Sequence, residues 1–131
     1  MRRSLIVTIR AVSEKQRILV ADDSETIRAL LKTALEGAGY EVDMADDGLS
    51  AYELGRNDDY DLVILDQLMP GLLGLEVIER WRDDGLETPV LMLTGVDDDR
   101  TAVESFDLGA VDYVRKPFRM TELIARIRKR L

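Results

Sequence analysis

The sequence contains no cysteine and no histidine among its 131 residues. Without cysteine, the chain has neither a disulfide framework nor a thiolate zinc site. Without histidine, it has no Ser–His catalytic pair, no histidine-ligated metal and no phosphohistidine of its own. Any metal site must therefore use oxygen ligands.

Long apolar runs are also absent, and none approaches the length of a membrane span. The start of the chain, Met1-Arg2-Arg3 followed by Leu5-Ile6-Val7, has a faint likeness to a signal peptide. Its apolar stretch is too short, however, and is interrupted by Thr8 and Arg10. We therefore expect a cytoplasmic protein.

Length and charge predict one acidic domain. A chain of 131 residues has the size of a single domain and buries about two thirds of its unfolded surface. Charged residues make up 34% of it, and the net charge of −8 argues against nonspecific nucleic-acid binding by the domain itself. We assign residues 17–131 to the domain and residues 1–16 to a mobile extension, or alternatively to a strand at Leu5–Ile9 that pairs with a neighbouring molecule.

From residue 17 onward, five strand patterns alternate with five amphipathic helical patterns. The predicted strands are 18–21, 41–45, 61–65, 89–94 and 111–114, and the helices begin near residues 24, 48, 75, 97 and 121. Crossovers of this length favour parallel strands, which predicts an α/β doubly wound sheet. The pattern also predicts which helical side chains face inward: Ile27, Leu30, Leu31, Ala34, Leu35 and Ala38 in the first helix, Leu49, Tyr52 and Ala51 or Leu54 in the second, and Ala102, Val103 and Phe106 in the fourth.

Polar residues follow the predicted strands where parallel strands end at a common edge, which is the edge that binds ligands in such sheets. Asp22 and Asp23 follow the first strand, Asp66 the third, Lys116 the fifth, and Thr94 ends the fourth. Three carboxylates close together repel one another, and a hard divalent cation relieves this repulsion. Two or three carboxylates suit Mg²⁺ better than a closed calcium cage.

The same residues suit phosphoryl transfer, which needs an aligned nucleophile and positive charge on the transferred oxygens. Asp66 would be the nucleophile, as carboxylates are in enzymes that form aspartyl phosphates. Lys116 and the Thr94 hydroxyl would each cover one phosphoryl oxygen.

Five segments carry a resemblance to a known family: 18–23, 66–70 with Gly74, 94–95, 109–110 and 112–118. In that order, they resemble the receiver domain of two-component response regulators. The resemblance implies a flavodoxin-like (βα)5 fold with a parallel five-stranded sheet in the order 2-1-3-4-5.

The resemblance also implies roles at the acidic edge. Asp66 is expected to be the phosphoacceptor. Asp23 and Asp66 are expected to bind Mg²⁺ directly with the backbone carbonyl of Leu68, and Asp22 to assist, often through water. Lys116 would pair with the phosphoryl group. The donor would be a phosphohistidine on a sensor histidine kinase or a phosphotransfer protein. We expect the domain to catalyse only its own phosphorylation and dephosphorylation.

The implied output is a switched surface. Thr94 is expected to move toward the phosphoryl group and Tyr113 to swing inward, which changes the face formed by the fourth helix, fifth strand and fifth helix. The segment 116–128 is most similar to receivers of winged-helix DNA-binding regulators, which dimerise through this face. Asp112, Glu122 and Arg126 match their salt-bridging positions.

Two other functions fit the same residues. One is a phosphorylation-independent interaction module of the same fold. The other is a magnesium-dependent phosphohydrolase, which usually needs a second acid where Leu68 stands and a cap that this chain has no room for. Leu68 and Val96 are apolar where relatives often have polar residues that aid hydrolysis, so we expect a long-lived phosphoryl group.

Overall fold

The sheet has the predicted parallel order. The computed structural model describes residues 15–95 and 98–131, in which five parallel strands lie in the order β2-β1-β3-β4-β5. The strands are β1 Arg17–Ala21, β2 Glu41–Ala45, β3 Leu62–Asp66, β4 Val90–Thr94 and β5 Asp112–Arg115. The helices are α1 Glu25–Gly37, α2 Gly48–Asn57, α3 Gly74–Asp83, α4 Asp99–Asp107 and α5 Met120–Arg130. The predicted fold class is therefore confirmed.

The two faces of the sheet bury separate hydrophobic clusters because side chains alternate along each strand. On one face, Leu19, Val63 and Met92 pack with side chains of α2 and α3 that include the fully buried Trp81. On the other face, alternate strand residues pack with side chains of α1 and α5. Strands β3 and β4 are buried along their whole length, whereas β2 lies at an edge and is only half-buried.

The turn after β3 is shaped by Gly74 and Gln67. A Cβ on Gly74 would lie 2.4 Å from the backbone oxygen of Asp66, so only glycine allows α3 to begin this close to the strand end. Leu73 precedes α3 without a side-chain cap, and the Gln67 side-chain carbonyl instead accepts a hydrogen bond from the Leu75 N–H at 2.8 Å. The residue beside Asp66 therefore stabilises the start of α3.

Four side chains predicted to face inward are exposed. Leu30 is 56% exposed, Leu49 54%, Val103 61% and Phe106 51%. In α1 and α2, other residues of the predicted inner faces are buried as expected, among them Leu31, Leu35 and Ala51.

The largest error concerns α4, whose inner positions are the buried Thr101 and Ser105. Hydrophobicity predicted the wrong face because these hydroxyls can be satisfied locally: the Ser105 hydroxyl donates to the Ala102 carbonyl at 2.7 Å.

Two predicted features, the strand at Leu5–Ile9 and the apolar Val96, lie outside the described residues. Within them, Gln16 already belongs to the fold, because its carbonyl accepts a hydrogen bond from the Glu41 N–H at 2.9 Å. Across residues 15–95 and 98–131, the helices are too short or too polar for any of them to cross a membrane.

Candidate functional site

The carboxyl ends of β1 and β3 bring three carboxylates together, as the sequence predicted. Asp22 follows β1 and is fully buried, Asp66 ends β3 and is buried, and Asp23 is exposed. Oxygens of the three carboxylates all lie within 4.8 Å of one another. A cluster of this size has the spacing of ligands around a single cation.

Lys116 supplies the positive charge next to these carboxylates. Its ammonium lies 2.8 Å from Asp22 Oδ2 and 3.2 Å from Asp66 Oδ2. Its backbone N–H donates to the Thr94 carbonyl at 2.7 Å, which fastens the turn after β5 to the end of β4, and the peptide bond to Pro117 is cis. Burial lowers the pKa of Lys116, but the hydrogen bond that its ammonium donates to Asp22 and the charges of both acids outweigh this effect, so the pKa stays above its ordinary value.

One lysine does not neutralise three acids. Burial raises the pKa of Asp66 to about 6, the Asp22 carboxylate adds to the rise, and Lys116 opposes it. The ionised form of Asp66 therefore has less stabilisation from water and nearby positive charge than an exposed aspartate has. A second positive charge at this position would stabilise the ionised form.

The donor set fits a hard divalent cation. All three side-chain ligands are carboxylate oxygens, and the exposed Asp23 leaves one side of the cluster open to water. Mg²⁺ binds through one or two carboxylates and retains water or phosphate oxygens in its other positions. Leu68 lies in the turn after Asp66, and a role for its carbonyl as a further ligand stays a prediction.

Arg28 supports the acidic turn and was missed in the sequence. Its guanidinium donates to the backbone carbonyl of Asp22 at 2.8 Å, and the Asp22 side chain accepts from the Ser24 N–H at 2.9 Å. These bonds hold the segment that carries Asp22 and Asp23. The available signal was the position of Arg28, one helical turn after the residue that caps α1, Ser24.

Thr94 and Tyr113 make hydrogen bonds to Asp98 rather than to the acidic cluster. The buried Thr94 hydroxyl donates to Asp98 Oδ2 at 3.2 Å, and the Tyr113 hydroxyl donates to the Asp98 carbonyl at 3.1 Å. Asp98 is not among the site residues that the sequence predicted. An aspartate three residues before Thr101 at a helix start is a capping signal, and Asp98 Oδ1 accepts from the Thr101 N–H at 3.1 Å.

The predicted partner residues are joined to one another within the chain. Arg126 lies 3.0 Å from Asp112 Oδ1 and 3.4 Å from Glu122 Oε1. The exposed apolar side chains of Val103 and Phe106 belong to the same α4-β5-α5 face, where the Phe106 and Tyr113 ring centroids are 6.4 Å apart.

Comparison with known families assigns nearly the whole described domain. A family model described as the response regulator receiver domain matches residues 18–128. Among curated relatives, the chain is 43% identical over 118 residues to the uncharacterized transcriptional regulatory protein YkoG of Bacillus subtilis, a match that covers 90% of this chain and 52% of YkoG. It is 45% identical over 112 residues to the response regulator MprA of a Mycobacterium species, covering 86% of this chain and 49% of MprA.

Solved structures agree with these matches. The receiver domain of the Francisella response regulator 1452 has a TM-score of 0.83 at 34% identity, over 88% of this chain and 96% of that one. The response regulator TrrA of Thermotoga maritima, solved in complex with Mg²⁺ and BeF, has a TM-score of 0.79 at 40% identity, over 88% of this chain and 99% of that one. The chain spans about half the length of the curated relatives it matches.

Proposed function

The chain belongs to the response regulator receiver domain family of two-component signal transduction, and we propose that its Asp66 accepts a phosphoryl group from a phosphohistidine of a kinase or phosphotransfer protein. The observation that carries this proposal is the contact of the Lys116 ammonium with both Asp22 and Asp66 inside a cluster of three carboxylates. This arrangement combines a nucleophile with charge for the phosphoryl oxygens.

In the proposed reaction, a carboxylate oxygen of Asp66 forms a bond to phosphorus while the bond from phosphorus to the imidazole nitrogen breaks. The electron pair of the broken bond returns to the imidazole. Asp66 must be ionised to attack, and its raised pKa leaves it a stronger nucleophile than an exposed aspartate. Lys116 neutralises charge on the transferred oxygens, and Thr94 would donate to another of them.

Mg²⁺ would be held by Asp22, Asp23 and Asp66. When bound, it supplies positive charge that neutralises a carboxylate cluster and the phosphoryl oxygens. Burial and the Asp22 carboxylate raise the pKa of Asp66, which supports this assignment because a bound cation would stabilise the ionised form.

Labelling with radioactive phosphoramidate in Mg²⁺ tests the acceptor. We expect the parent chain to take up an acid-labile label and Asp66→Asn to take up none, since an amide cannot form the acyl phosphate. Asp43→Asn is a matched control, because Asp43 lies on β2 in the same sheet but pairs with Arg17 at the opposite end. Equal labelling of the Asp66→Asn variant would refute the proposal.

Beryllofluoride binding separates this function from a phosphorylation-independent module. We expect the parent chain to bind beryllofluoride only with Mg²⁺, with changed backbone chemical shifts or changed fluorescence of Trp81. Removal of Mg²⁺ by a chelator should reverse both changes. A chain that binds no beryllofluoride would support the interaction module instead.

We also propose that the phosphorylated domain forms a homodimer through the α4-β5-α5 face. Exposed Val103 and Phe106 supply apolar surface there, and Asp112, Glu122 and Arg126 place acidic and basic side chains on the same face, which would pair with those of a second copy. Light scattering should show a dimer with beryllofluoride that Phe106→Asp abolishes. A monomer under both conditions would contradict this part of the proposal.

A further inference from the structure

Asp98 accepts hydrogen bonds from both proposed switch side chains. Its Oδ2 accepts from the Thr94 hydroxyl at 3.2 Å, and its backbone carbonyl accepts from the Tyr113 hydroxyl at 3.1 Å. Its other carboxylate oxygen caps α4 through the Thr101 N–H at 3.1 Å. One residue therefore connects the end of β4, the start of α4 and the ring on β5.

From these contacts we infer that Asp98 is a positioning residue that opposes phosphorylation by holding Thr94 away from the phosphoryl group. This inference rests on the proposed function, because it concerns the phosphoryl state of Asp66. A hydroxyl has one proton and can donate it to one acceptor at a time. The Asp98 carboxylate and the phosphoryl oxygens therefore compete for the same Thr94 proton.

The competition reaches α4 and Tyr113 through the same residue. When Thr94 turns to the phosphoryl group, Asp98 loses a hydrogen bond that connects the start of α4 to β4. The same residue's carbonyl holds the Tyr113 hydroxyl, so a shift of Asp98 alters the bond that holds the ring. The inner face of α4 offers little hydrophobic resistance to such a shift, because its buried residues are Thr101 and Ser105.

The variant Asp98→Asn removes the competing acceptor and keeps the helix cap. Asparagine is as good a capping residue as aspartate, and its carbonyl can still accept from the Thr101 N–H. Its amide nitrogen stands where Oδ2 was and cannot accept from the Thr94 hydroxyl. Asp98→Ser is a second variant of the same kind, because serine caps helices but has a single side-chain oxygen.

The chain offers a closely matched control in Asp47, which caps α2. Asp47 Oδ1 accepts from the Ser50 N–H at 2.7 Å, and its Oδ2 accepts from the Ser50 hydroxyl at 3.1 Å. Asp47→Asn therefore keeps its helix cap but loses a hydrogen bond from a hydroxyl and one negative charge, as Asp98→Asn does, at a site away from both switch residues.

The test measures beryllofluoride affinity of the full chain in saturating Mg²⁺, by titration followed by NMR, with melting temperatures recorded alongside. We expect Asp98→Asn and Asp98→Ser to bind about three- to tenfold more tightly than the parent, the range that one hydrogen bond supplies. Asp47→Asn should bind like the parent.

A double-mutant cycle separates the hydrogen bond from the loss of charge. In a Thr94→Ala background there is no hydroxyl to compete for, so adding Asp98→Asn should leave the affinity unchanged. A gain that persists in this background would overturn the inference in favour of charge repulsion, and unchanged or weaker binding by both Asp98 variants would overturn it outright. A parent chain that binds no beryllofluoride would instead refute the proposed function itself.

Discussion

The two ends of the sheet each carry a group of acids around one cation. They differ in burial, because the acids at the carboxyl end are buried and those at the amino end are partly exposed. At the amino end, the Arg17 guanidinium lies 2.9 Å from Asp43 and 3.6 Å from Asp58, and 4.9 Å from the centre of the Tyr60 ring. The Asp61 carboxylate accepts from the Arg17 N–H at 2.7 Å. At the carboxyl end, the ammonium of Lys116 bridges Asp22 and Asp66.

Burial separates these two groups. The side chains of Asp43 and Asp58 are 41% and 46% exposed, so water solvates their charge. Those of Asp22 and Asp66 are 0% and 7% exposed, and burial raises the pKa of Asp66 to about 6. The amino end therefore contributes stability, whereas the carboxyl end gives up stability to keep a buried carboxylate next to a lysine. Four substitutions test this difference, in order of decreasing effect.

Lys116→Met should have the largest effect. The labelling rate with phosphoramidate in Mg²⁺ should fall about 100-fold, because one charged donor to the transferred oxygens is lost. Lys129→Met, at an exposed position near the end of α5, should label at the parent rate. If the Lys116→Met variant labels within a few-fold of the parent rate, labelling does not require the Lys116 charge. The proposed difference between the two ends would then be wrong.

Arg17→Met should affect stability and leave the site intact. We expect the free energy of unfolding in urea to fall by about 1–3 kcal/mol, since Asp43 and Asp58 lose their cation while the methionine keeps the packing of the arginine stem. Beryllofluoride affinity should not change. A weaker affinity would show that the two ends of the sheet are energetically coupled.

Asp66→Asn should stabilise the metal-free domain at neutral pH. The pKa of Asp66 is about 6 in the fold against an ordinary value of 3.8, so the folded state binds this proton more tightly than the unfolded state does. The resulting stability is present below pH 3.8 and is lost as the pH rises through 6. Asparagine avoids that loss, which predicts a gain of roughly 1–2 kcal/mol near neutral pH and none at about pH 4.

Urea unfolding of the parent and the Asp66→Asn variant at both pH values checks this prediction. Asp43→Asn, at the amino end, should lower the stability instead, because it breaks the ion pair with Arg17. A loss of stability in both variants at neutral pH would mean that the two ends do not differ in the predicted way.

Leu68→Asn should have the smallest effect, a several-fold faster loss of the phosphoryl label. The Leu68 side chain is 68% exposed in the turn after Asp66, and a polar group there can orient an attacking water molecule. The parent label should last well beyond seconds in a time course after donor removal. Decay of the parent within seconds would contradict the prediction of a long-lived phosphoryl group.

Much of the fold and the acidic cluster could be predicted because their signals are local. Apolar runs such as 62–65 indicate buried strands. Once the strands are parallel, the residues that follow them, Asp22, Asp23 and Asp66, must lie at one edge of the sheet. The orientation of α4 could not be predicted this way. Val103 and Phe106 are more hydrophobic than Thr101 and Ser105, so hydrophobicity predicts that they face inward. In the structure, Thr101 and Ser105 are buried and Val103 and Phe106 are exposed.

The sequence by itself determined the alternation of strands and helices and the residues that gather at the carboxyl end of the sheet. The tertiary structure alone decided that Lys116 bridges Asp22 and Asp66, that Arg28 holds the acidic turn, and that Asp98 accepts a hydrogen bond from the Thr94 hydroxyl. The physical reason is one of scale. Periodic burial is encoded over several neighbouring residues, whereas a hydrogen bond depends on how separate strands and helices approach one another within a few tenths of an ångström.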